Sequence, residues 1–544
     1  MSESEATVTR VATAAASSSP AHRQPWWRNA VIYEIYVRSF ADGNGDGVGD
    51  LIGIRSRLDH LAELGVDAVW LSPFFASPMA DGGYDVRDYR AVAPEFGTLD
   101  DFDALVADAH RLGIRVVIDV VPNHTSHEHP WFTEALAAGP GSPARDRYLF
   151  RPGRGSDGAE PPNNWESVFG GSAWTRVTEP DGRPGEWYLH LFAPEQPDLN
   201  WRNPEVQSEF RDVLRFWLDR GVDGIRIDVA HGLFKAEGLP DDTADREGIL
   251  DTTPRPYWDQ EEVHDVYRDW RALLDSYPGD RMAVAEAWLP TLERMSRYVR
   301  PDELHQAFNF AFLSTDFDPG AFREVIDATV RTLAEVNALP TWVLSNHDVV
   351  RHTTRYGGGE QGLRRARTAV LVMLALPGAT YLYQGEELGL EQVTDLPDEV
   401  LQDPVWRRSG YTDRGRDGCR VPIPWDGDQP PFGFGERSWL PVPEAWRTRT
   451  VAAQTTDPDS TLRMYQQALG VRRVLGGSAR LDWLDTPDTV LGFRTDSGLV
   501  CTANMGTDPV EINVPGELLV STQQVHVSGV TTVLPPESAA WWRA

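Results

Sequence analysis

The stretch GVDGIRIDVAHG, residues 221–232, contains an apolar strand that carries two charged residues, Arg226 and Asp228, on one face. The apolar residues Ile225 and Ile227 can be buried without difficulty. An unpaired charge in an apolar setting, by contrast, costs several kcal/mol or shifts the pKa of the charged group. We therefore expect Arg226 and Asp228 either to form a structural ion pair or to lie at an exposed end of the strand.

Similar apolar strands recur along the chain, and amphipathic helices separate them. Helices are predicted at residues 51–65, 101–113, 204–221 and 322–336, and several end at the glycine that commonly follows a helix. This alternation is typical of βα units around a parallel sheet. Eight units predict a (β/α)8 TIM barrel, an α/β fold whose chemistry gathers at the C-terminal ends of its strands. The eight predicted strands are residues 31–40, 67–74, 115–124, 224–230, 282–288, 306–313, 341–348 and 379–387.

Three departures from this repeating pattern indicate further parts of the chain. Residues 1–25 are rich in Ala, Ser and Thr and predict a disordered tail. Residues 123–195, rich in Gly, Pro, Trp and Asn, predict an inserted domain after the third strand. Short alternating strands predict a C-terminal antiparallel β domain at residues 476–544. The barrel is then formed by residues 26–122 and 196–475.

The composition argues against several classes of partner. The formal net charge is −31 and Lys235 is the only lysine, which argues against binding to nucleic acid or to anionic membranes. No apolar run approaches the ~20 residues that cross a bilayer, and residues 1–24 lack the apolar segment of a secretory leader. Cys419 and Cys501 do not imply a disulfide framework. We expect a cytoplasmic monomer or homodimer.

Polar residues occur where several predicted strands end, and three of them are carboxylates. Any one acid alone would more often be the structural partner of an arginine. Three acids together with two histidines suit glycoside hydrolysis, in which one carboxyl group attacks and another donates a proton, ~5–5.5 Å apart in a retaining enzyme. These strand-end residues are Asn123, His124, Arg226, Asp228, Glu286, Asn346, His347 and Asp348.

Five segments in this order resemble the sequence motifs of the α-amylase superfamily of glycoside hydrolases. They are DVVPNH (119–124), QPDLNW (196–201), GIRIDVAHG (224–232), VAEAW (284–288) and SNHD (345–348). QPDLNW, with DGNGDGVGDL near the start and RDGCRVPIPW (416–425), resembles the α-glucosidase and oligo-1,6-glucosidase branch. The resemblance implies the same barrel, inserted domain and C-terminal β domain, and it implies a retaining α-glucosidase that releases glucose from the nonreducing end of short α-glucosides.

The resemblance also implies roles for the catalytic residues. Asp228 matches the nucleophile that forms a covalent glucosyl-enzyme, and Glu286 matches the general acid/base. Asp348 matches the third carboxylate, which holds ring hydroxyls as the transition state forms. Arg226 would keep Asp228 ionised by its charge.

Further residues match the sugar-binding positions of the family. The two histidines would hydrogen-bond the innermost sugar, and the Asp and Tyr of DGGYD would close the floor of the pocket. Of the two arginines of RDGCR, Arg420 matches the partner of Asp81, and Arg416 would line the next subsite. The substrate-binding residues implied are Asp81, Tyr84, His124, Arg226, His347 and Arg420.

The loop DGNGDGVGD, residues 42–50, places oxygen atoms at alternate positions of a glycine-bent segment. Oxygen ligands suit a hard cation, so we expect one structural Ca²⁺ or Mg²⁺ rather than a bare turn. The loop is not an EF-hand, because Gly53 occupies the twelfth position, where a bidentate Glu belongs. The expected ligands are Asp42, Asn44, Asp46, Asp50 and the carbonyl group of Val48.

Alternative functions remain at this point. An α-glucosyl transferase or a sucrose- or trehalose-type isomerase would share the catalytic residues and differ in how the acceptor site excludes water. A noncatalytic relative, such as the barrel ectodomain of a transporter subunit, would have lost acids, and a carbohydrate-binding module has no need of three desolvated carboxylates. Within the resembling branch, valine after the nucleophile, here Val229, accompanies acceptance of α-1,6 bonds.

Overall fold

The structure, a computed structural model, describes residues 24–244, 252–514, 516–529 and 531–543. Residues 1–23 of the predicted N-terminal tail lie outside the described residues. No helix of the described segments is both long and apolar enough to span a membrane. Cys419 and Cys501 are buried free thiols.

The eight predicted strands form one parallel sheet, which confirms the predicted (β/α)8 barrel. Ladders join β1 to β6 in chain order, and β8 pairs with both β7 and β1. Between β6 and β7 the N–H of Asn309 donates to the carbonyl of Thr341 at 3.1 Å. The strands are shorter than predicted, because the chain leaves the sheet before each predicted segment ends; of the residues predicted as strand, Val37–Ser39 form a 3₁₀-helix and Phe310–Leu313 form an α-helix. The strands are β1 (Val31–Ile35), β2 (Ala68–Leu71), β3 (Arg115–Val120), β4 (Gly224–Ile227), β5 (Met282–Ala285), β6 (Gln306–Ala307), β7 (Thr341–Val343) and β8 (Ala379–Tyr383).

The helix Leu99–Arg111 shows how the sequence specifies a helix of this barrel. Thr98 and Asp101 form a capping box in which each side chain accepts a hydrogen bond from the backbone N–H of the other. The buried residues Phe102 and Leu105 recur at helical spacing and pack into the core. The other α-helices are Leu51–Ser56, Leu58–Leu64, Pro130–Ala138, Pro204–Asp219, Val263–Asp275, Leu292–Tyr298, Phe310–Leu313, Pro319–Ala334, His352–Arg355, Gly359–Ala375, Pro404–Arg408, Val451–Thr456 and Thr461–Leu475.

One predicted helix differs from the structure. The segment predicted as a single helix over residues 51–65 is two helices, because Arg57, with φ −113° and ψ 7°, departs from helical geometry. The second helix ends at Gly65, whose φ of 97° a residue with a Cβ rarely adopts.

Three β regions lie outside the barrel sheet, and the smallest is the antiparallel pair of Phe75–Ala76 and Asp88–Val92. Between β3 and β4 the chain forms the antiparallel sheet of Phe150–Arg151, Pro184–Leu189 and Trp174–Thr178. The C-terminal region contains a five-stranded and a three-stranded antiparallel sheet, which confirms the predicted C-terminal β domain, whereas the residue boundaries between domains stay a prediction. The strands of these two sheets are Leu481–Trp483, Val490–Thr495, Leu499–Asn504, Ser538–Arg543 and Glu517–Ser521, and Val510–Asn513, Thr531–Leu534 and His526–Ser528.

Candidate active site

Two carboxylates meet at the C-terminal ends of the neighbouring strands β4 and β5. Asp228 and Glu286 each directly follow the last residue of their strand. The parallel pairing continues one residue further, since the N–H of Asp228 donates to the Val120 carbonyl at 2.9 Å and the N–H of Glu286 donates to the Ile227 carbonyl at 3.0 Å. Both residues are buried, with exposures of 5% and 8%. The sheet register itself therefore places the two acids side by side.

Arg226, which precedes this point on β4, contacts both acids. One guanidinium nitrogen donates to Asp228 at 2.6 Å, and the other lies 3.4 Å from Glu286. The guanidinium also donates to the two oxygens of Asp119 at 2.8 and 3.0 Å. Arg226 and Asp228 thus form a buried ion pair at the end of β4, so the expectation of an ion pair holds and that of an exposed strand end does not.

Asp119 is a site residue that the sequence analysis did not single out. It lies on β3 in register with Arg226 and is fully buried. The Tyr84 hydroxyl donates to it at 3.1 Å, and burial raises the pKa of Asp119 to about 7 in spite of Arg226. The available signal was its place, five residues before His124, within the DVVPNH motif.

Burial raises the pKa of Asp228 well above its usual range, and it raises the pKa of Glu286 as well. The Arg226 guanidinium opposes both shifts, while the charge of Glu286 adds to the shift of Asp228. Arg226 therefore favours ionised Asp228, as predicted, and opposes the effect of burial. A site that readily keeps a proton on a carboxyl group is suited to general acid catalysis.

The residue between these acids has a strained backbone. Val229 has a φ of 45°, in the left-handed region that β-branched residues rarely adopt. In this conformation its N–H donates to Glu286 Oε2 at 2.7 Å, and the Trp288 indole donates to Oε1 at 2.8 Å. Strain of this kind persists where the surrounding structure enforces it. Here it accompanies a fixed orientation of the Glu286 carboxyl group.

Asp348 lies after β7 and faces several positively polarised groups. Arg416 and Arg420 donate to its Oδ1 at 2.9 and 3.1 Å, and His347 Nε2 lies 3.3 Å from Oδ2. Burial alone would raise the pKa of Asp348, but His347 and the two arginines together hold it well below its usual range. Asp348 is therefore ionised at neutral pH.

Asp81 closes one side of the site, and its partner differs from the predicted one. Arg416 donates to Asp81 at 2.7 Å, whereas Arg420 donates to Asp348 and to the carbonyl of His347. The predicted pairing of Asp81 with Arg420 is therefore wrong, because Arg416 is the arginine whose side chain reaches both Asp81 and Asp348. Gln196 also donates to Asp81, at 3.1 Å. Burial raises the pKa of Asp81 to about 6, and Arg416 opposes that rise.

The two predicted histidines are buried and neutral. Burial lowers the pKa of His347 to about 3 and that of His124 to about 4. His347 lies between Glu34, 2.5 Å from its Nδ1, and the Tyr84 hydroxyl, 2.7 Å from its Nε2. The Tyr84 ring stacks on it at 5.4 Å between centroids. His124 Nε2 lies 3.2 Å from the carbonyl oxygen of Tyr84.

One pocket brings most of the predicted residues together. Asp228, Glu286 and Asp348 line it with three of the predicted binding residues, Asp81, Tyr84 and His124. The other three do not line the pocket, but each contacts at least one of its carboxylates: Arg226 contacts Asp228, and His347 and Arg420 contact Asp348. The sequence analysis missed a largely aromatic part of the wall, which comes from irregular segments without a repeating pattern. It includes Glu166, Val168, Phe169, Phe192, Tyr257 and Trp258.

Residues 34–475 match the family model described as the alpha amylase catalytic domain. The chain belongs to the α-amylase family of glycoside hydrolases. A probable alpha-glucosidase of Rhizobium meliloti (strain 1021) is 41% identical over 513 residues, which cover 90% of this chain and 91% of the relative. An oligo-1,6-glucosidase of Parageobacillus thermoglucosidasius is 35% identical over 543 residues, covering 92% and 94%.

A solved structure supports the same assignment. The crystal structure of an alpha-glucosyl transfer enzyme, XgtA, is 40% identical, covers 96% of this chain and 100% of its own, and has a TM-score of 0.87. The similarities confirm the family and the branch that the motifs indicate. This α-amylase family member is therefore an enzyme of the glycoside hydrolase class.

The loop of residues 42–50 presents oxygen atoms, as predicted, and these already accept backbone hydrogen bonds. Asp42 accepts from the N–H groups of Gly45 and Gly47, and Asp50 accepts from those of Gly43, Asn44 and Gly53. Asp50 Oδ2 accepts two of these bonds, whereas the other three carboxylate oxygens accept one each and keep a further lone pair. In the described parts of the chain no three acidic, His or Cys side chains form a metal-binding group. The predicted acidic ligands Asp42, Asp46 and Asp50 therefore do not form such a group by themselves, and a hard cation would also need Asn44 and the Val48 carbonyl.

Removal of Arg416 should destabilise the protein increasingly as pH rises. Arg416→Gln leaves Asp81, Asp348 and Asp403 without this ion pair. The folded-state pKa of Asp81, which burial already raises to about 6, then rises further above the unfolded value, so unfolding becomes easier as this carboxyl group ionises. We expect the deficit in melting temperature relative to wild type to be larger at pH 8 than at pH 5. Arg420→Gln, which keeps the direct contact of Arg416 with Asp81, is the control and should show a smaller difference between the two pH values. A deficit of equal size at both pH values in Arg416→Gln would contradict the prediction.

Proposed function

We propose that the protein is a retaining, exo-acting α-glucosidase that releases glucose from the nonreducing end of short α-glucosides. The observation that carries the proposal is the juxtaposition of Asp228 and Glu286 at two adjacent strand ends around one guanidinium, that of Arg226. Glycoside hydrolysis uses two neighbouring carboxyl groups, one as nucleophile or base and one as proton donor. The similarity to a probable alpha-glucosidase and an oligo-1,6-glucosidase supports the α-glucoside as substrate.

The reaction proceeds by double displacement. The Asp228 carboxylate attacks the anomeric carbon while the bond to the leaving oxygen breaks, and Glu286 gives that oxygen its proton. Glu286 then takes a proton from water, whose oxygen displaces Asp228 and releases glucose. The ionised carboxylate of Asp348 stabilises the positive charge that develops on the sugar in both steps.

The Asp81 side of the pocket supports cleavage from the chain end. The ion pair of Asp81 with Arg416 is buried, and Gln196 further fixes Asp81. Polar groups fixed in this way can hold the hydroxyls of a terminal sugar, and the ion pair would block a longer chain on this side. The substrate would therefore enter with its nonreducing glucose first.

Transfer to another sugar is the second candidate. The similarity to an alpha-glucosyl transfer enzyme favours it, and the aromatic part of the wall, with Phe169 and Trp258, offers a surface on which an acceptor could stack. Chromatographic time courses with maltose, isomaltose, sucrose and maltotriose distinguish the two. Glucose accumulation supports hydrolysis, whereas new oligosaccharides or sucrose isomers support transfer. Cytoplasmic location and oligomeric state stay predictions from the sequence.

We also propose that the loop of residues 42–50 binds one structural Ca²⁺ or Mg²⁺. Its oxygen-rich composition supports this, and its side chains take no part in the pocket.

The two acids should respond differently to substitution. Asp228→Asn removes the nucleophile and should abolish turnover of maltose and aryl α-glucosides alike. Glu286→Gln removes the proton donor, which should lower kcat on maltose by about 10²–10⁴-fold but lower it less on an aryl glucoside whose leaving group needs no proton. Steady-state kinetics on both substrates measure this. Wild-type activity in Asp228→Asn would refute the mechanism.

Val229 should influence the choice of linkage. Its β-branched side chain lines the pocket beside Asp228, and about one methyl group is worth ~1–3 kcal/mol of discrimination. Val229→Ala keeps the N–H that holds Glu286, and it should shift the isomaltose to maltose ratio of kcat/KM toward maltose by about tenfold. An unchanged ratio, measured side by side with wild type, would show that residues other than Val229 determine which linkage is preferred.

Chelation should destabilise the protein if the loop holds a cation. A ligand that binds only the folded state raises stability by ~2.7 kcal/mol at a hundredfold excess over its Kd. The melting temperature should fall in EDTA and recover with added Ca²⁺ or Mg²⁺, and Asp46→Ala should abolish this response. Equal melting temperatures of the wild type with and without EDTA would count against the site.

A further inference from the structure

Lys235, the only lysine of the chain, is buried behind the pocket with an exposure of 1%. Its ammonium group donates to Asn123 Oδ1 at 2.8 Å and to the carbonyl of Gly232, and it lies 2.8 Å from Asp198 Oδ2. An ammonium group has three donors and no acceptor. All three donors are therefore used, and the buried charge is fully paired.

These partners come from three separate parts of the chain. Asn123 lies just after β3, Asp198 lies where the chain returns from the inserted region, and Gly232 closes the turn that follows Asp228. Asp198 also accepts the N–H of Leu191 at 2.9 Å. One ammonium group thus connects the loop after β3, the end of the inserted region and the turn after Asp228.

The ammonium group also determines how the Asn123 amide is turned. Because Lys235 can only donate, Asn123 must present its oxygen to it. The NH₂ group of Asn123 then points to Asp198 Oδ2 at 3.2 Å and to His124 Nδ1 at 3.1 Å. Nδ1 of His124 must accept, so the ring proton lies on Nε2, which is 3.2 Å from the Tyr84 carbonyl.

A second amide favours the opposite arrangement. Gln196 accepts the N–H of Ala193 with its oxygen at 3.0 Å, which turns its NH₂ group toward His124 Nε2 at 3.1 Å and Asp81 at 3.1 Å. A neutral imidazole offers one N–H and one acceptor nitrogen. Asn123 and Gln196 therefore favour opposite tautomers of His124, and one of them must prevail.

We propose that Lys235 is a positioning residue that sets the tautomer of His124 by fixing the orientation of the Asn123 amide. With its proton on Nε2, His124 is a donor in the pocket wall, and the oxygen of a sugar hydroxyl would share this N–H with the carbonyl of Tyr84. Without the ammonium group and the Asp198 carboxylate, which both favour this orientation of the amide, Asn123 can turn over, Nδ1 takes the proton, and Gln196 donates to Nε2. The tautomer itself does not depend on the proposed α-glucosidase activity, whereas the role in sugar binding rests on it.

The test replaces the whole ion pair by neutral groups. Lys235→Met alone would leave the Asp198 carboxylate buried and unpaired, which is strongly destabilising, so the variant is Lys235→Met/Asp198→Asn. In ¹⁵N-histidine-labelled protein, with the His124 signals assigned by their loss in His124→Asn, the proton should lie on Nε2 in the wild type. It should lie on Nδ1 in the double variant. Retention of the Nε2 proton in the folded double variant would overturn the proposal.

The competing amide provides the control. Gln196→Leu alone should leave the proton on Nε2, and the same change added to the double variant should return it there. Failure to return would show that Gln196 does not compete, and would overturn the account.

Kinetics test the consequence for sugar binding. On p-nitrophenyl α-glucoside the double variant should lose about tenfold in kcat/KM, the scale of one hydrogen bond between neutral groups. An unchanged kcat/KM despite a switched tautomer would overturn the role in binding. Absence of wild-type activity on every α-glucoside would refute the proposed function instead, while the NMR comparison would still decide the role of Lys235.

Discussion

The buried guanidinium of Arg226 is the charge on which the pocket depends. It contacts Asp119, Asp228 and Glu286 while the rings of Trp70 and Tyr84 lie 5.1 and 5.8 Å from it. Several carboxylates removed from water repel one another and lose hydration, and a shared cation reduces that cost. The ladders of β4 with β3 and β5 hold Arg226 in place. The register of the barrel strands therefore also determines how the carboxyl groups of the site are arranged.

A second cation holds the opposite side of the pocket. Arg416, from beyond β8, bridges Asp81, Asp348 and Asp403. Phe169 of the inserted region covers its guanidinium at 5.0 Å, and this shields the ion pairs from water. The barrel thus provides the reacting carboxyl groups, while loops from three regions enclose them.

The sequence predicts the eight strands because each is a short apolar run between amphipathic helices, and it predicts the acids because they follow such runs. The sequence analysis did not single out Asp119, because it lies inside a buried apolar run. Only the pairing of β3 with β4 shows that its partner is Arg226. The partner of Asp81 was misassigned since Arg416 and Arg420 are four residues apart in an irregular loop, where sequence spacing does not decide which side chain reaches it. The aromatic wall of the pocket was likewise unpredictable, because tertiary packing alone brings Phe192 and Trp258 together. The break at Arg57 lies within an apolar pattern that continues through both helices, so periodicity does not reveal it.

The burial of the only lysine also affects how the protein can be handled. Amine-directed dyes, crosslinkers and resins react with accessible, deprotonated amines, and Lys235 offers neither access nor a free lone pair. Apart from an α-amino group, such reagents should find no reactive amine on the folded protein. Amine coupling would then attach the chain at one end with a uniform orientation, and reaction at Lys235 would report that the barrel had opened.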